Sequence, residues 1–175
     1  MNISALELSI DTNGPGRRLC IWLQGCNLSC EGCFNPHTHP AKDCLLLTPT
    51  EIVEHIIAFE KEERIRGITL TGGEPLQQSE QVLAMLIQMP TNLDILLFTG
   101  YSIKEILADP IKSAIVRRCD AALCGRYKAF PEMNPLACKK LLISSGRIKK
   151  KDIHQSRAVE LTISKSHGLI TGFPW

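Results

Sequence analysis

No apolar run in this chain approaches the roughly 18 residues that a membrane-spanning helix needs. Met1 to Ile10 has neither the basic start nor the apolar stretch of an export signal. The resulting expectation is a cytoplasmic protein with no membrane partner. Charge of one sign is lacking as well. A net charge of +2 gives no broad electropositive footprint, so no nucleic-acid partner is expected. The local run of Arg147, Lys149, Lys150 and Lys151 reads as a solvated face. Internal repeats, low-complexity tracts and linkers are also missing. With 175 residues, 44% of them hydrophobic, the chain reads as a single domain over residues 1–175. What it does have is cysteine: eight residues, which without an export signal favour metal binding or reduced buried thiols over a disulfide framework.

The apolar pattern alternates between strands and helices. Arg17 to Gln24 predicts a strand with Leu19, Ile21 and Leu23 on one face and Cys20 and Trp22 on the other. Gly25 to Lys42, rich in Cys, Gly, Pro, Asn and His, reads as a long functional loop. Thr48, Pro49 and Glu51 form a capping box for a helix whose buried stripe is Ile52, Ile56 and Phe59, and which Gly67 stops. Ile68 to Thr71 predicts a strand. A helix after Ser79 should turn Val82, Leu83, Leu86 and Ile87 inward. Asp94 to Thr99 predicts a strand covered on both faces, Ser102 and Glu105 a second capping box for a helix ending near Pro110, and Ala121 to Cys124 another strand. Ala158 to Ile163 and Leu169 to Thr171, around Lys165 to Gly168, predict a C-terminal β-hairpin. A full eight-stranded barrel takes about 250 residues. The expected fold is therefore α/β, an open partial (β/α) barrel with parallel strands and that hairpin.

Cys26, Cys30 and Cys33 place three thiolates within eight residues, enough to hold three corners of one small inorganic core. A cubane normally takes four, so three leave one iron open to a reactant. A zinc site completed by His37 or His39 is the competing reading, and it would make the chain a non-catalytic binding module. Cys20, Cys44, Cys119, Cys124 and Cys138 lack the close pairing of a second cluster and read as core residues.

Cys26 to Cys33 has the CxxxCxxC form of the radical S-adenosylmethionine superfamily, and Gly72-Gly73-Glu74-Pro75, ending a strand, resembles its second motif. Gly14-Pro15-Gly16, Arg18, Gly25-Cys26, Cys33-Phe34-Asn35 and Phe98-Thr99-Gly100-Tyr101 resemble more closely the activases of glycyl-radical enzymes, above all those of anaerobic ribonucleotide reductase. The likeness runs from about Asn13 to Gly125. Gly32 stands where many superfamily members have an aromatic residue, and Cys124 stands where relatives often have an acidic one.

The resemblance implies a 4Fe–4S cluster on Cys26, Cys30 and Cys33. It further implies bound S-adenosyl-L-methionine, cleaved reductively to a 5′-deoxyadenosyl radical, and a glycyl radical installed on an anaerobic ribonucleotide reductase-like partner. A flavodoxin- or ferredoxin-type electron donor goes with it. A small-molecule or peptide substrate is the alternative within the superfamily. The cofactor pocket would draw on Gly32, Cys33, Phe34, Gly72, Gly73, Glu74, Pro75 and Thr99, with Asn35 and Tyr101 nearby. Gly72 and Gly73 are expected to let backbone carbonyls approach the methionine ammonium. On that reading, a side chain at Gly73 blocks the ligand and leaves the cluster intact.

Overall fold

The computed structural model describes residues 1–128, 138–153, 159–163 and 168–172. In chain order the strands and helices are β1 (Asn2–Ser9), β2 (Arg18–Leu23), β3 (Leu45–Leu46), α1 (Pro49–Glu63), β4 (Gly67–Gly72), α2 (Ser79–Gln88), β5 (Asp94–Thr99), α3 (Ile103–Leu107), α4 (Pro110–Arg118), β6 (Ala121–Cys124), β7 (Lys140–Ile143), β8 (Val159–Ile163) and β9 (Gly168–Gly172).

Seven strands form one sheet in the order β3-β1-β2-β4-β5-β6-β7. The four central strands β2, β4, β5 and β6 run parallel, and β3, β1 and β7 add antiparallel edges. The sheet is not closed: β3 and β7 end it. The expected α/β fold with parallel strands therefore holds at the centre of an open sheet, and the flanks are antiparallel; the sheet by itself does not establish the expected partial barrel. The hairpin is present as the separate β8–β9 pair, while its turn at 164–167 lies outside the described residues.

Each parallel strand lies beside the next in sequence, so right-handed crossovers deliver every helix to the same face. Ile52, Val53 and Ile56 of α1, Val82, Met85 and Leu86 of α2, Ile106 of α3 and Ile115 and Val116 of α4 join one core with Leu19, Ile21, Leu23, Ile68, Leu70, Ile95 and Leu97 of the sheet. The opposite face carries a smaller cluster of Leu96, Ala121, Leu123 and Ile148. Period-two alternation thus sorts each strand between two surfaces.

Local chemistry explains the element ends. The Thr48 hydroxyl accepts from the Glu51 amide and the Glu51 carboxylate accepts from the Thr48 amide, a cap worth about 1 kcal/mol. Arg64, left-handed at φ 51°, ends α1, and Gly67 instead opens β4. In α2 the inward stripe is Val82, Met85 and Leu86, while Ile87 is 60% exposed. Residue 87 lies one step of about 100° beyond the buried seam.

A charged knot closes the N-terminal edge of the parallel strands. Arg18, fully buried, pairs with Asp94 at 2.6 Å and donates to Thr69 Oγ1 and to the carbonyls of Pro15 and Ile68. Arg66 adds a second bond to Asp94 at 2.8 Å. Burial costs such a pair several kcal/mol per ion, so it survives only because carbonyls satisfy the remaining guanidinium donors. Arg147, from the basic run, pairs with Asp120 at 2.9 Å and donates to the Thr91 and Leu93 carbonyls. It is a strut of this edge.

Candidate functional site

The C-terminal ends of the parallel strands lie level, with Leu23 opposite Gly72 and Thr99 opposite Cys124. Four loops therefore leave the sheet along one edge, the place where open parallel sheets bind ligands. A cavity of about 130 Å³ opens there and reaches onto the sheet face away from the helices.

The loop after β2 is held as a closed ring. Gly25 N–H donates to Thr38 O at 2.8 Å and Cys26 N–H to His39 O at 3.1 Å, so the start of the loop pairs with its end. Within it, Cys33 N–H donates to Cys30 O, and Ser29 (φ 49°) and Gly32 (φ 64°) are left-handed. These tight turns coil eight residues so that Cys26, Cys30 and Cys33 all line the cavity as free, half-buried thiols. Burial pushes the Cys26 and Cys33 thiols up from their ordinary value. They stay protonated until a metal takes the proton's place.

Among the described residues, no three His, Cys, Asp or Glu side chains come close enough to hold a single metal ion. His39 stands in the cavity wall and His37 does not. All three thiols line one cavity, the arrangement that a shared multi-iron core needs.

Gly72 and Gly73 also line the cavity, and their lack of a Cβ meets a need within the chain itself. A Cβ on Gly73 would lie 2.4 Å from Gly25 O and 3.1 Å from Thr38 O. One on Gly72 (φ 96°) would lie 2.5 Å from Leu23 N. The two glycines let the β4 turn nest against the cysteine loop, tied by Gly73 N–H to Leu23 O and Glu74 N–H to Gly25 O. A side chain at Gly73 therefore strikes the cysteine loop itself.

Glu74 is only 1% exposed. Its carboxylate accepts from Leu76 N–H at 2.9 Å, Thr99 Oγ1 at 2.7 Å and Gly100 N–H at 2.6 Å. Burial pushes its pKa up, and these hydrogen bonds pull against that. It braces the β4 turn against the end of β5, and Thr99 is spent in the same brace. Phe34, Asn35 and Thr99 line the cavity as expected; Gly32, Pro75 and Tyr101 do not. Gly32 is an exposed turn residue, and Pro75 opens a short 3₁₀ turn over Pro75–Gln78. The Tyr101 ring instead meets the Lys112 and Arg126 cations at 5.2 and 5.5 Å.

Trp22, Tyr127 and Lys139 are among the wall residues that the sequence pattern does not mark as part of a site. Trp22, 7% exposed, has a buried indole N–H without a hydrogen-bond partner among the described residues. Its place on the sheet face away from the helices was legible from alternation in β2, since Leu19, Ile21 and Leu23 take the helix side. Tyr127 follows β6. Lys139 reaches in from just before β7, donating from Nζ to Thr99 O at 2.9 Å and Gly125 O at 2.6 Å. Nothing in its sequence neighbourhood marks it. Of the other cysteines, Cys20, Cys119 and Cys124 are buried, Cys138 is half-buried and Cys44 is exposed. Burial pushes the Cys20 thiol up to about 12 and that of Cys124 up to about 11, so neither is a ready thiolate.

Comparison with known proteins agrees with this geometry. The 4Fe-4S single cluster domain family matches residues 12–141. The anaerobic ribonucleoside-triphosphate reductase-activating protein of Enterobacteria phage T4 is 31% identical over 121 residues, which cover 66% of this chain and 74% of the relative. Its counterpart in Vibrio cholerae is 33% identical over 122 residues, covering 66% and 77%. The pyruvate formate-lyase-activating enzyme of Clostridium pasteurianum is 34% identical over 86 residues, covering 48% and 36%. The chain belongs to the 4Fe-4S single cluster domain family and, within it, to the anaerobic ribonucleoside-triphosphate reductase-activating proteins.

Proposed function

We propose that this chain is a radical S-adenosylmethionine activase that takes a hydrogen atom from a backbone glycine of an anaerobic ribonucleotide reductase. The observation that carries the reading is a single loop turning three free thiols into a cavity at the C-terminal edge of parallel strands. Cys26, Cys30 and Cys33 would hold three irons of a 4Fe–4S cluster, leaving the fourth for a ligand. When bound, the reduced cluster supplies the electron that cleaves S-adenosyl-L-methionine to a 5′-deoxyadenosyl radical.

The chain's own residues bind, orient and shield. The Gly72-Gly73 backbone borders the cavity beside the cysteine loop, within reach of a ligand ammonium. Glu74 holds that turn, Thr99 and Gly100 in one arrangement. Leu28, Phe34, Leu96 and Phe98 supply an apolar wall that keeps water from the reacting atoms. The open sheet, read as part of a barrel, leaves a side through which a loop of a large partner can enter. A flavodoxin- or ferredoxin-type protein is the electron donor, and the cytoplasm is the site of action. Among the described residues no helix is long and apolar enough to cross a membrane.

Anaerobic mixing of the reduced, iron-loaded protein with S-adenosylmethionine and the reductase should give a glycyl-radical doublet by electron paramagnetic resonance. Cys30→Ala should give none and should lose most visible absorbance. A silent wild-type spectrum, despite 5′-deoxyadenosine release and a reductase that another activase converts, would overturn the partner assignment.

A further inference from the structure

The indole N–H of Trp22 is a buried donor in the wall of a cavity. The residue is 7% exposed, lines the cavity, and finds no hydrogen-bond partner for Nε1 among the described residues. An indole nitrogen donates and does not accept, so whatever satisfies it must bring an acceptor. Burying that donor unpaired is costly, and a ligand that offers it an oxygen removes the cost. Trp22 stands in register with Thr71 of β4, on the sheet face away from the helices. Leu96 and Phe98 of β5 continue the cavity wall on that face, and Asn13 and Gly14 belong to it as well. None of these side chains carries a charge. Glu74, His39, Lys139 and the three thiols of the cavity come instead from segments beyond the C-terminal strand ends. The cavity is thus divided into a charged part at the strand ends and a neutral part along the sheet face. A charged ligand anchored on the cysteine loop takes the first. The second suits an uncharged peptide backbone, whose carbonyl answers the indole N–H. A glycine there adds no side chain to a cavity of about 130 Å³.

We propose that Trp22 binds the partner's loop, its indole N–H donating to a backbone carbonyl beside the glycine that loses its hydrogen atom. This inference rests on the reading of the chain as a glycyl-radical activase. Trp22 takes no part in the hydrogen transfer and acts by fixing which Cα–H lies in the cavity.

The probe is a synthetic peptide spanning the radical glycine of the reductase. Its dissociation constant and that of S-adenosylmethionine are measured by anaerobic equilibrium dialysis on cluster-loaded protein, left oxidised so that nothing is cleaved. The parent is Trp175→Phe, which removes the chain's other tryptophan. In it, Trp22→Phe keeps a ring and loses the N–H. Trp22→benzothienylalanine keeps the shape of the indole and puts sulfur in place of the N–H. Each should lose about three- to tenfold in affinity for the peptide, yet hold iron and bind S-adenosylmethionine within about twofold of the parent. Loss for S-adenosylmethionine instead assigns the acceptor to that ligand and overturns the proposal. Equal loss for both ligands, or for neither, overturns it as well. So does a loss in Trp22→Phe that the benzothienyl isostere restores, since packing and not the N–H is then at work. A parent that installs the radical on the intact reductase but does not bind the peptide also overturns it. A parent that cleaves S-adenosylmethionine and installs no radical on the reductase sinks the activase reading beneath it.

Discussion

At Gly73 a single hydrogen atom decides whether two loops can touch. The Cβ of any other residue would sit 2.4 Å from a carbonyl oxygen of the cysteine loop, and that neighbour is backbone, which cannot swing aside. Gly25 directly precedes the first ligand cysteine, so displacing it moves Cys26. Gly73→Ala is therefore expected to lower the iron bound after anaerobic reconstitution to well under half the wild-type level. Iron and visible absorbance per chain measure it. Full iron with failed ligand cleavage would restore the simpler idea of a glycine kept clear for the ligand alone. Sequence showed that a glycine pair follows a strand there. It did not show what the pair approaches, because the contact joins residues 25 and 73, far apart in the chain, and lies in no local pattern. Glu74 is similar: its charge was visible, but its three partners on other segments were not.

Elements that carry their own punctuation were readable in advance. Thr48 with Glu51 and Ser102 with Glu105 are capping boxes in sequence and in structure. The strands β2, β4, β5 and β6 fall where apolar runs meet glycine, proline and polar turns. Pro110 marks the end of one helix by pattern alone, but Asp109 caps a new helix, α4, with Pro110 in its first turn. The α3 cap reaches beyond its own helix. Glu105 accepts from the Ser102 hydroxyl at 2.7 Å and amide at 2.8 Å, and pairs with Arg126 at 2.7 Å. Arg126 in turn donates to Gly100 O, beside the cavity. The Ser102 bonds, with Arg126 behind them, hold the Glu105 carboxyl down to about 2. A carboxylate so lowered contributes stability that is present above its ordinary value of 4.5 and is lost as pH falls toward about 2. Wild type should therefore be more stable than Glu105→Gln near neutrality, with the gap closing across that acid window. Urea unfolding of both proteins as a function of pH measures it; a gap independent of pH would refute the assignment.

On the scale of the whole molecule, the parallel centre was legible and its edges were not. β1, β3 and β7 are recruited by pairing with distant strands, and a two-residue strand such as Leu45–Leu46 leaves no periodic trace. The site inherits this division, since its cysteine loop and β4 turn come from the readable centre, whereas Lys139 comes from the segment before edge strand β7.

Glu160 of the C-terminal hairpin, a residue that no local pattern marks, ties the hairpin to the rest of the chain. Glu160 of β8 accepts from Ile10 N–H at 2.7 Å, Asp11 N–H at 2.9 Å and the Thr12 hydroxyl at 2.9 Å. These residues form the turn between β1 and β2, and Thr12, Asn13 and Gly14 continue into the cavity wall. One carboxylate on the hairpin thus steadies a turn that shapes the site from about 150 residues away in the chain. Hydrogen bonds to a charged group are worth about 1.5–3 kcal/mol. Glu160→Ala should therefore speed amide exchange at Ile10 and Asp11 by roughly ten- to a hundredfold. The amides of β4 and β5 lie in the sheet centre, open only with the whole fold, and should keep their wild-type rates. Residue-resolved hydrogen exchange distinguishes the cases. Unchanged rates at Ile10 and Asp11 would show that the turn holds itself, and uniform acceleration through β4 and β5 would show that Glu160 stabilises the whole fold rather than this one junction.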